Sequence, residues 1–349
     1  MNFPSLALVQ MDVIPGQPEQ NLSTALRLLQ EARNQGASLV AFPELCLSGY
    51  LIGDLWEEYS FVRDCVAAGH ELVTAGRNLV LLFGNVGVDL EHPGEDGRPR
   101  RYNAAWLAEE GQLRRNPWTG LDFIPKTLLP NYREFEETRH FFDLRRLALE
   151  RGVPVQSLFG IHEVKCGSGN LPLGVILCED GWGEDYHLHL IPHLAEQGAQ
   201  LVINLSASPY TRGKNGKRNR IFSQQATQSR IPIAYVNCIG AQNNGKTFFG
   251  FDGSSTFYGT NGQIRTTLPA WKECVQVIDG ASPESVDSGN SCVSGISPSP
   301  SPWAGHSELR PEDVQTLIQV VRRYLEQSGI ARVVVGVSGG IDSAVAAAL

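Results

Sequence analysis

The sequence predicts an α/β protein of layered sheets with helices on their faces, and three observations predict it. Short apolar strands alternate with amphipathic helices of the length a strand-to-strand crossover needs. That alternation occurs twice, in the same order, with local similarities at matching points. A Ser/Gly/Pro-rich stretch then divides this part from a last helix-strand-loop segment.

The first strand is Phe3-Pro4-Ser5-Leu6-Ala7-Leu8-Val9, an apolar run of buried type. The helix after it has Leu22, Ala25, Leu26, Leu29 and Ala32 on one face, and Gly36 stops it. The second half repeats the plan. Leu171-Pro172-Leu173-Gly174-Val175-Ile176-Leu177 is a strand, and Tyr186 to Gln197 is a helix stopped by Gly198. Each helix leads into a similar strand entry, Gly36-Ala37-Ser38-Leu39-Val40 and Gly198-Ala199-Gln200-Leu201-Val202. Each half later carries a similar hairpin turn, Gly111-Gln112-Leu113-Arg114 and Gly262-Gln263-Ile264-Arg265. Two βαβ-type halves related by approximate symmetry can pair their sheets as a sandwich, with a site between them.

Three segments follow from composition: a domain over residues 1–275, a linker over 276–308 and a further segment over 309–349. In the last, Arg310-Pro311-Glu312 opens a helix bearing Val314, Leu317, Ile318, Val321, Tyr324 and Leu325. Arg332-Val333-Val334-Val335-Gly336-Val337 reads as a strand. The sequence ends soon afterwards, inside what reads as a helix, so the domain begun there is expected to be incomplete.

Hydrophobic residues make up 42% of the 349, enough for a sizeable core, and the net charge is −8. That balance argues against a mainly nucleic-acid-binding role, where a basic excess is expected. Met1 to Gln10 lacks a basic start and a long apolar run, so no targeting segment is expected, and no run in the sequence reaches membrane-spanning length. The seven cysteines are scattered without paired CxxC spacing, which disfavours zinc and a disulfide scaffold and fits a reducing cytoplasm.

Three residues stand where chemistry is possible. Cys178 ends an apolar strand and begins a turn, so its thiol projects into an open site beside backbone N–H groups able to hold an oxyanion. Glu44 ends the strand Leu39-Val40-Ala41-Phe42-Pro43, where desolvation raises a carboxylate towards useful basicity. Lys126 lies among apolar residues and prolines in Phe123-Ile124-Pro125-Lys126-Thr127-Leu128-Leu129-Pro130, a cation able to face a tetrahedral oxyanion or favour a thiolate. Taken singly, each also fits an ordinary role: a buried structural thiol, a solvated loop carboxylate, a surface lysine with a packed stem.

Together the blocks Pro43-Glu44-Leu45-Cys46-Leu47-Ser48-Gly49-Tyr50, Lys126-Thr127-Leu128-Leu129-Pro130-Asn131-Tyr132 and Leu177-Cys178-Glu179-Asp180 resemble the three signature blocks of the nitrilase superfamily, in that family's order. The resemblance covers residues 1 to about 270. It implies an αββα sandwich and a Glu-Lys-Cys triad. Glu44 would be the general base, Lys126 the stabiliser of the tetrahedral intermediate, and Cys178 the nucleophile that forms a thioester as ammonia leaves. The family's second glutamate matches Glu137 best, ahead of Glu134 and Glu136; a solvated acidic turn is the ordinary reading of that run.

Finer blocks narrow this. Ser48 to Leu55, Leu129 to Phe135 and Asn204-Leu205-Ser206-Ala207-Ser208-Pro209-Tyr210 are similar to glutaminase domains of glutamine-dependent NAD synthetases. The resemblance implies Tyr50, Tyr132 and Glu179 in the glutamine pocket, with Ser206 and Arg212 at the substrate's amino-acid end. An arginine fork suits a carboxylate, although Arg212 is also one charge among Lys214, Lys217, Arg218 and Arg220, readable as a solvated loop.

Val337-Ser338-Gly339-Gly340-Ile341-Asp342-Ser343 places a Gly-rich turn between strand and helix, where backbone N–H groups can surround an anion. No Gly-Lys-Ser/Thr follows, so it is not a Walker A loop. It resembles the SGGxDS loop of ATP pyrophosphatases, which implies ATP binding by Ser338, Gly339, Gly340, Ile341, Asp342 and Ser343, with Mg²⁺. The combined resemblance implies ATP-dependent amidation of deamido-NAD to NAD, with ammonia drawn from glutamine. It implies no resident metal for the glutaminase step, no nucleic-acid or membrane partner, and a homo-oligomer. An amidase for another small amide, or a non-catalytic partner domain, are the competing expectations.

Overall fold

The computed structural model describes residues 4–94, 96–133, 135–166, 169–279 and 310–349. Phe3, Glu134 and residues 280–309, which hold most of the linker read over 276–308, lie outside the described residues. The first half runs β1 (Leu6–Gln10), α1 (Pro18–Asn34), β2 (Leu39–Ala41), α2 (Tyr59–Ala75), β3 (Val80–Pro93), β4 (Pro99–Glu109), β5 (Gln112–Leu113) and β6 (Ile124–Pro125). Two helices, α3 (Glu137–His140) and α4 (Leu144–Arg151), lead into the second half. There β7 (His162–Cys166), β8 (Gly169–Leu177), α5 (Leu190–Glu196), β9 (Leu201–Ser206), α6 (Lys214–Ser229) and β10 (Ile233–Asn237) follow. The strands β11 (Ile239–Asn243), β12 (Phe248–Asp252), β13 (Thr256–Tyr258), β14 (Ile264–Thr267) and β15 (Cys274–Ile278) complete the sheets; beyond the linker come α7 (Pro311–Gln327) and α8 (Ile341–Ala348).

The two halves repeat one topology. The first sheet has the order β15-β1-β2-β3-β4-β5, with β6 also on β4, and the second β14-β13-β10-β9-β8-β7. In each, three strands run parallel (β1, β2, β3; β8, β9, β10), and antiparallel strands flank them on both sides. Parallel neighbours require crossovers, which α1, α2, α5 and α6 supply. The paired strand entries of the sequence become β2 and β9, the middle strands of their sheets. The edge strand β15 carries the first sheet to Ile278, three residues past the boundary read at 275.

The layers are α-β-β-α. Between the sheets lie Leu6, Leu8, Leu39 and Leu82 from one side and Leu173, Val175, Leu201 and Ile203 from the other, each at most 7% exposed. Burying each such side chain contributes about 1.5–3 kcal/mol. The outer face of the first sheet packs Val9, Val40 and Phe83 against α1 and α2. That of the second packs Ile176, Val202 and Ile233 against α5 and α6. Because both faces are covered, β1 and β9 are buried at every position.

Two elements differ from expectation. The helix foreseen from Tyr186 begins only at Leu190; Tyr186 is extended because its hydroxyl donates to Glu179 at 2.6 Å. Arg332 to Val337 forms no strand and is exposed: no neighbouring strand among the described residues pairs its backbone. The helix α7 packs on the two-stranded hairpin β11–β12. Among the described residues no helix is long and apolar enough to cross a membrane.

Candidate active site

Glu44, Lys126 and Cys178 all emerge at strand ends. Glu44 follows β2, Lys126 directly follows β6 and Cys178 directly follows β8, where it opens a short 3₁₀ turn, Cys178–Gly181. The chain turns sharply at both the acid and the thiol: Leu45 has φ 44° and Cys178 φ 38°, left-handed values that are costly for these residues. The acid's turn leans on Gly84 of β3, where a Cβ would lie 2.4 Å from the Glu44 Cα and 2.4 Å from the Leu45 nitrogen. Asp180 joins the thiol's turn to the lysine's segment. Its carboxylate accepts from the backbone N–H of Leu128 at 2.7 Å, Thr127 at 3.2 Å and Leu177 at 3.2 Å.

The centre of the site is a completely buried ammonium. Lys126 Nζ donates to Glu44 Oε1 at 2.7 Å and to Glu137 Oε1 at 2.6 Å, and neither the lysine nor Glu44 has any solvent exposure. Burial alone would lower the lysine's pKa; the carboxylates of Glu137 and Glu44 reverse this and hold it well above the ordinary range. Two carboxylates thus share one cation, leaving one negative charge in excess. Glu137 bears the consequence: burial pushes it up to about 7, Glu44 adds to this, and Lys126 opposes it. Asp180 is likewise raised to about 7 by burial. Burial, then the Glu44 charge, raises the Cys178 thiol well above its usual value, with Lys126 and Lys214 acting the other way. A thiol held that high needs a base to take its proton.

The other expected residues divide into three groups. Tyr50 is buried in the site: its hydroxyl donates to Glu137 Oε1 at 2.5 Å and its ring lies 5.6 Å from Lys126 Nζ. Glu179 is buried and accepts from the hydroxyls of Tyr132 at 3.3 Å and Tyr186 at 2.6 Å. Ser206 is buried and donates to Asn204 Oδ1 at 3.1 Å. Arg212 is turned to α7, paired with Asp313 at 2.7 Å. Glu136 is not in the cluster; it faces Lys246 at 3.1 Å on the surface, and Glu134 lies outside the described residues. At the far end of the chain, the Ser338 backbone N–H donates to Ser343 Oγ at 3.1 Å, curling Gly339 and Gly340 over the start of α8.

Several site residues were not foreseen. Asn103 on β4 donates through Nδ2 to Glu44 Oε1 at 2.7 Å and to Glu137 Oε2 at 3.4 Å, bridging the two acids. A lone asparagine in the apolar run Ala104-Ala105-Trp106-Leu107 was the available signal. The backbone N–H of Ala207, just past β9, donates to Glu44 Oε2 at 2.8 Å. Lys214, from the basic run read as a solvated loop, is half-buried near the thiol, and burial lowers its pKa. Arg218 of the same run is buried, 4.4 Å from the ring centre of Tyr235. A cavity lined by Tyr50, Phe135, Glu137, Asn244 and Lys246 touches Glu137, and Cys178 is not part of its lining.

Comparison with known proteins follows this geometry. The sequence matches the carbon-nitrogen hydrolase family over residues 5–282 and the NAD synthase family over residues 313–349. It is similar to proteins named glutamine-dependent NAD(+) synthetase. That of Synechocystis is 29% identical over 354 residues, covering 99% of this chain and 56% of the relative. That of Xylella fastidiosa is 30% identical over 353 residues, covering 99% and 55%. The chain thus spans about half the length of the curated relatives it matches. The structure is similar to glutamine-dependent NAD+ synthetase from Acinetobacter baumannii, solved in complex with ADP: TM-score 0.73, 26% identity, 99% of this chain and 56% of that one. An amidase of the nitrilase superfamily from Nesterenkonia shares the fold, with TM-score 0.61 and 22% identity over 79% of this chain and 90% of that one.

Proposed function

The chain belongs to the carbon-nitrogen hydrolase family, and from that premise we propose that residues 5–282 hydrolyse the side-chain amide of glutamine, with Cys178 as nucleophile, Glu44 as general base and Lys126 as the cation at the oxyanion. The observation that carries the reading is the buried Lys126 ammonium held between Glu44 and Glu137 at 2.7 and 2.6 Å. A charge so enclosed is costly unless paired, and such clusters mark functional sites.

Burial and the Glu44 charge push the Cys178 thiol up, so it needs a base, and Glu44 takes its proton as Sγ attacks the amide carbon. The carbonyl oxygen becomes anionic and Lys126 stabilises it; one oriented donor of this kind is worth about 10²–10³ in rate. The C–N bond then breaks, Glu44 returns the proton, and ammonia leaves a glutamyl thioester. Water, deprotonated by Glu44, attacks the thioester and releases glutamate. Glu137, with Tyr50 and Asn103, keeps Lys126 and Glu44 in place. Glu179, flanked by Tyr132 and Tyr186, takes the substrate ammonium, while Ser206 and Arg212 serve its carboxylate end. One Arg212 nitrogen is paired with Asp313, and the remaining N–H groups of its fork serve the substrate.

The ammonia serves a synthetase reaction in which ATP adenylates the nicotinate carboxyl of deamido-NAD and ammonia displaces AMP, giving NAD. The relatives named glutamine-dependent NAD(+) synthetase support this, as does the match of residues 313–349 to the NAD synthase family. The Ser338–Ser343 turn offers hydroxyls and N–H groups that fit pyrophosphate, and Asp342 is its one carboxylate suited to Mg²⁺. When bound, Mg²⁺ neutralises phosphate charge.

Ammonia release from L-glutamine, L-asparagine and simple aliphatic amides tests the proposal. Glutamine should be strongly preferred and Cys178→Ala inactive. Equal or faster release from aliphatic amides would replace it with the reading of an amidase for other small amides.

A further inference from the structure

We propose that Gln242 is a positioning residue for the Tyr50–Glu137–Lys126 chain, and that α7 sets its position by gripping the hairpin that carries it. The inference rests on the glutaminase reading. Gln242 lies on β11, 1% exposed, and its Oε1 accepts two consecutive backbone N–H groups, Tyr50 at 2.8 Å and Leu51 at 2.9 Å. From Tyr50 the contacts continue to Glu137 at 2.5 Å and from Glu137 to Lys126 at 2.6 Å. One amide oxygen, 192 residues away in sequence from Tyr50, therefore fixes the backbone that aims a hydroxyl at the lysine's carboxylate. Register adds a second contact: Phe249 pairs opposite Gln242 and its ring stacks on Phe135 at 6.5 Å, and the Phe135 ring in turn lies 6.2 Å from that of Tyr50.

Among the described residues, the hairpin β11–β12 belongs to neither large sheet, and its two strands pair with each other and through a bridge from Ile239 to Asp12. A two-stranded ribbon is marginal without cover. The helix α7 provides that cover and is fixed at both ends. Near its start Asp313 takes the Tyr210 hydroxyl at 2.8 Å and the Arg212 guanidinium at 2.7 Å, while the Tyr210 N–H donates to the Gly250 carbonyl at 2.7 Å. Near its end Arg323 pairs with Asp12 at 2.8 Å, Gln327 donates to the Ala241 carbonyl at 3.2 Å, and Tyr324 meets Phe248 edge-on at 4.8 Å. Between them helix and strand approach so closely that a Cβ on Gly250 would lie 2.7 Å from Val320. Ala241 and Gln242 are adjacent, so the Gln327 contact falls next to the side chain that holds Tyr50.

The full chain tests this with Gln242→Leu, Arg323→Ala and the double variant. Gln242→Leu removes the acceptor of two buried N–H groups, and kcat for glutamine should fall about tenfold, more than KM rises. Arg323→Ala, at a partly exposed position away from the site, should lower kcat about threefold alone and add nothing in the Gln242→Leu background, the signature of a shared route. Hydrogen exchange reads the link without turnover: the Tyr50 and Leu51 amides should exchange faster in Arg323→Ala while those of β9 do not. Additive rate losses, or unchanged Tyr50 and Leu51 exchange, overturn the proposal. A parent that exchanges as described yet releases no ammonia from glutamine overturns only the glutaminase reading.

Discussion

The shared ammonium makes a quantitative prediction about stability and pH, read by Glu137→Gln. Burial pushes Glu137 up to about 7 from an ordinary 4.5, with Glu44 adding and Lys126 opposing. A carboxyl whose pKa is raised by folding contributes stability that is fully present below about pH 4.5 and is lost as the pH climbs through about 7. The gap of about 2.5 pH units corresponds to roughly 3 kcal/mol. The glutamine variant cannot titrate, yet its amide oxygen can still accept from Lys126 and Tyr50. The difference in unfolding free energy, variant minus parent, should therefore rise by about 3 kcal/mol between about pH 4.5 and pH 8. Asp12, raised to about 6, Asp180, raised to about 7, and His162, lowered to about 4, are all shifted chiefly by burial, and they titrate in both proteins and cancel. Guanidinium denaturation of both proteins across that range measures the difference. Parallel curves would refute the reasoning, because they would mean that Glu137 is ionised alike folded and unfolded.

Two further perturbations test how the site is held. Asn103→Leu removes the amide that donates to Glu44 at 2.7 Å and Glu137 at 3.4 Å. Hydrogen bonds to charged groups are worth about 1.5–3 kcal/mol, so kcat/KM for glutamine should fall by about 10–100-fold, and ammonia-release kinetics checks it. Gly84→Ala puts a methyl 2.4 Å from the Glu44 Cα, against backbone that has no room to yield. Thermal unfolding should shift down by several degrees and glutamine turnover should be lost, although Gly84 carries no functional group.

Much of this was legible in the sequence, for physical reasons. Parallel strands need crossover helices, and a helix that covers a sheet must show one apolar face; Leu22, Ala25, Leu29 and Ala32 display it. Glu44, Lys126 and Cys178 are conspicuous because polar groups at the ends of apolar strands have few neutral explanations. The contacts of Arg212 were not legible, because Asp313 lies far along the chain and leaves no local trace at residue 212. The same holds for Gln242, whose partners Tyr50 and Leu51 come from the opposite half. Tyr186 looked helical because local periodicity cannot register a hydroxyl captured by Glu179. Arg332 to Val337 has strand composition, but a strand is a property of a pair, and no partner lies beside it among the described residues.

The covalent step is the centre of the account, and intact-protein mass spectrometry during glutamine turnover tests it most directly. A glutamyl adduct should form on the parent, map to Cys178 after digestion, be absent from Cys178→Ala, and form far more slowly in Glu44→Gln, which lacks the base that activates the thiol. Ammonia release from glutamine with no adduct under rapid quench, or an adduct on another cysteine, would contradict it.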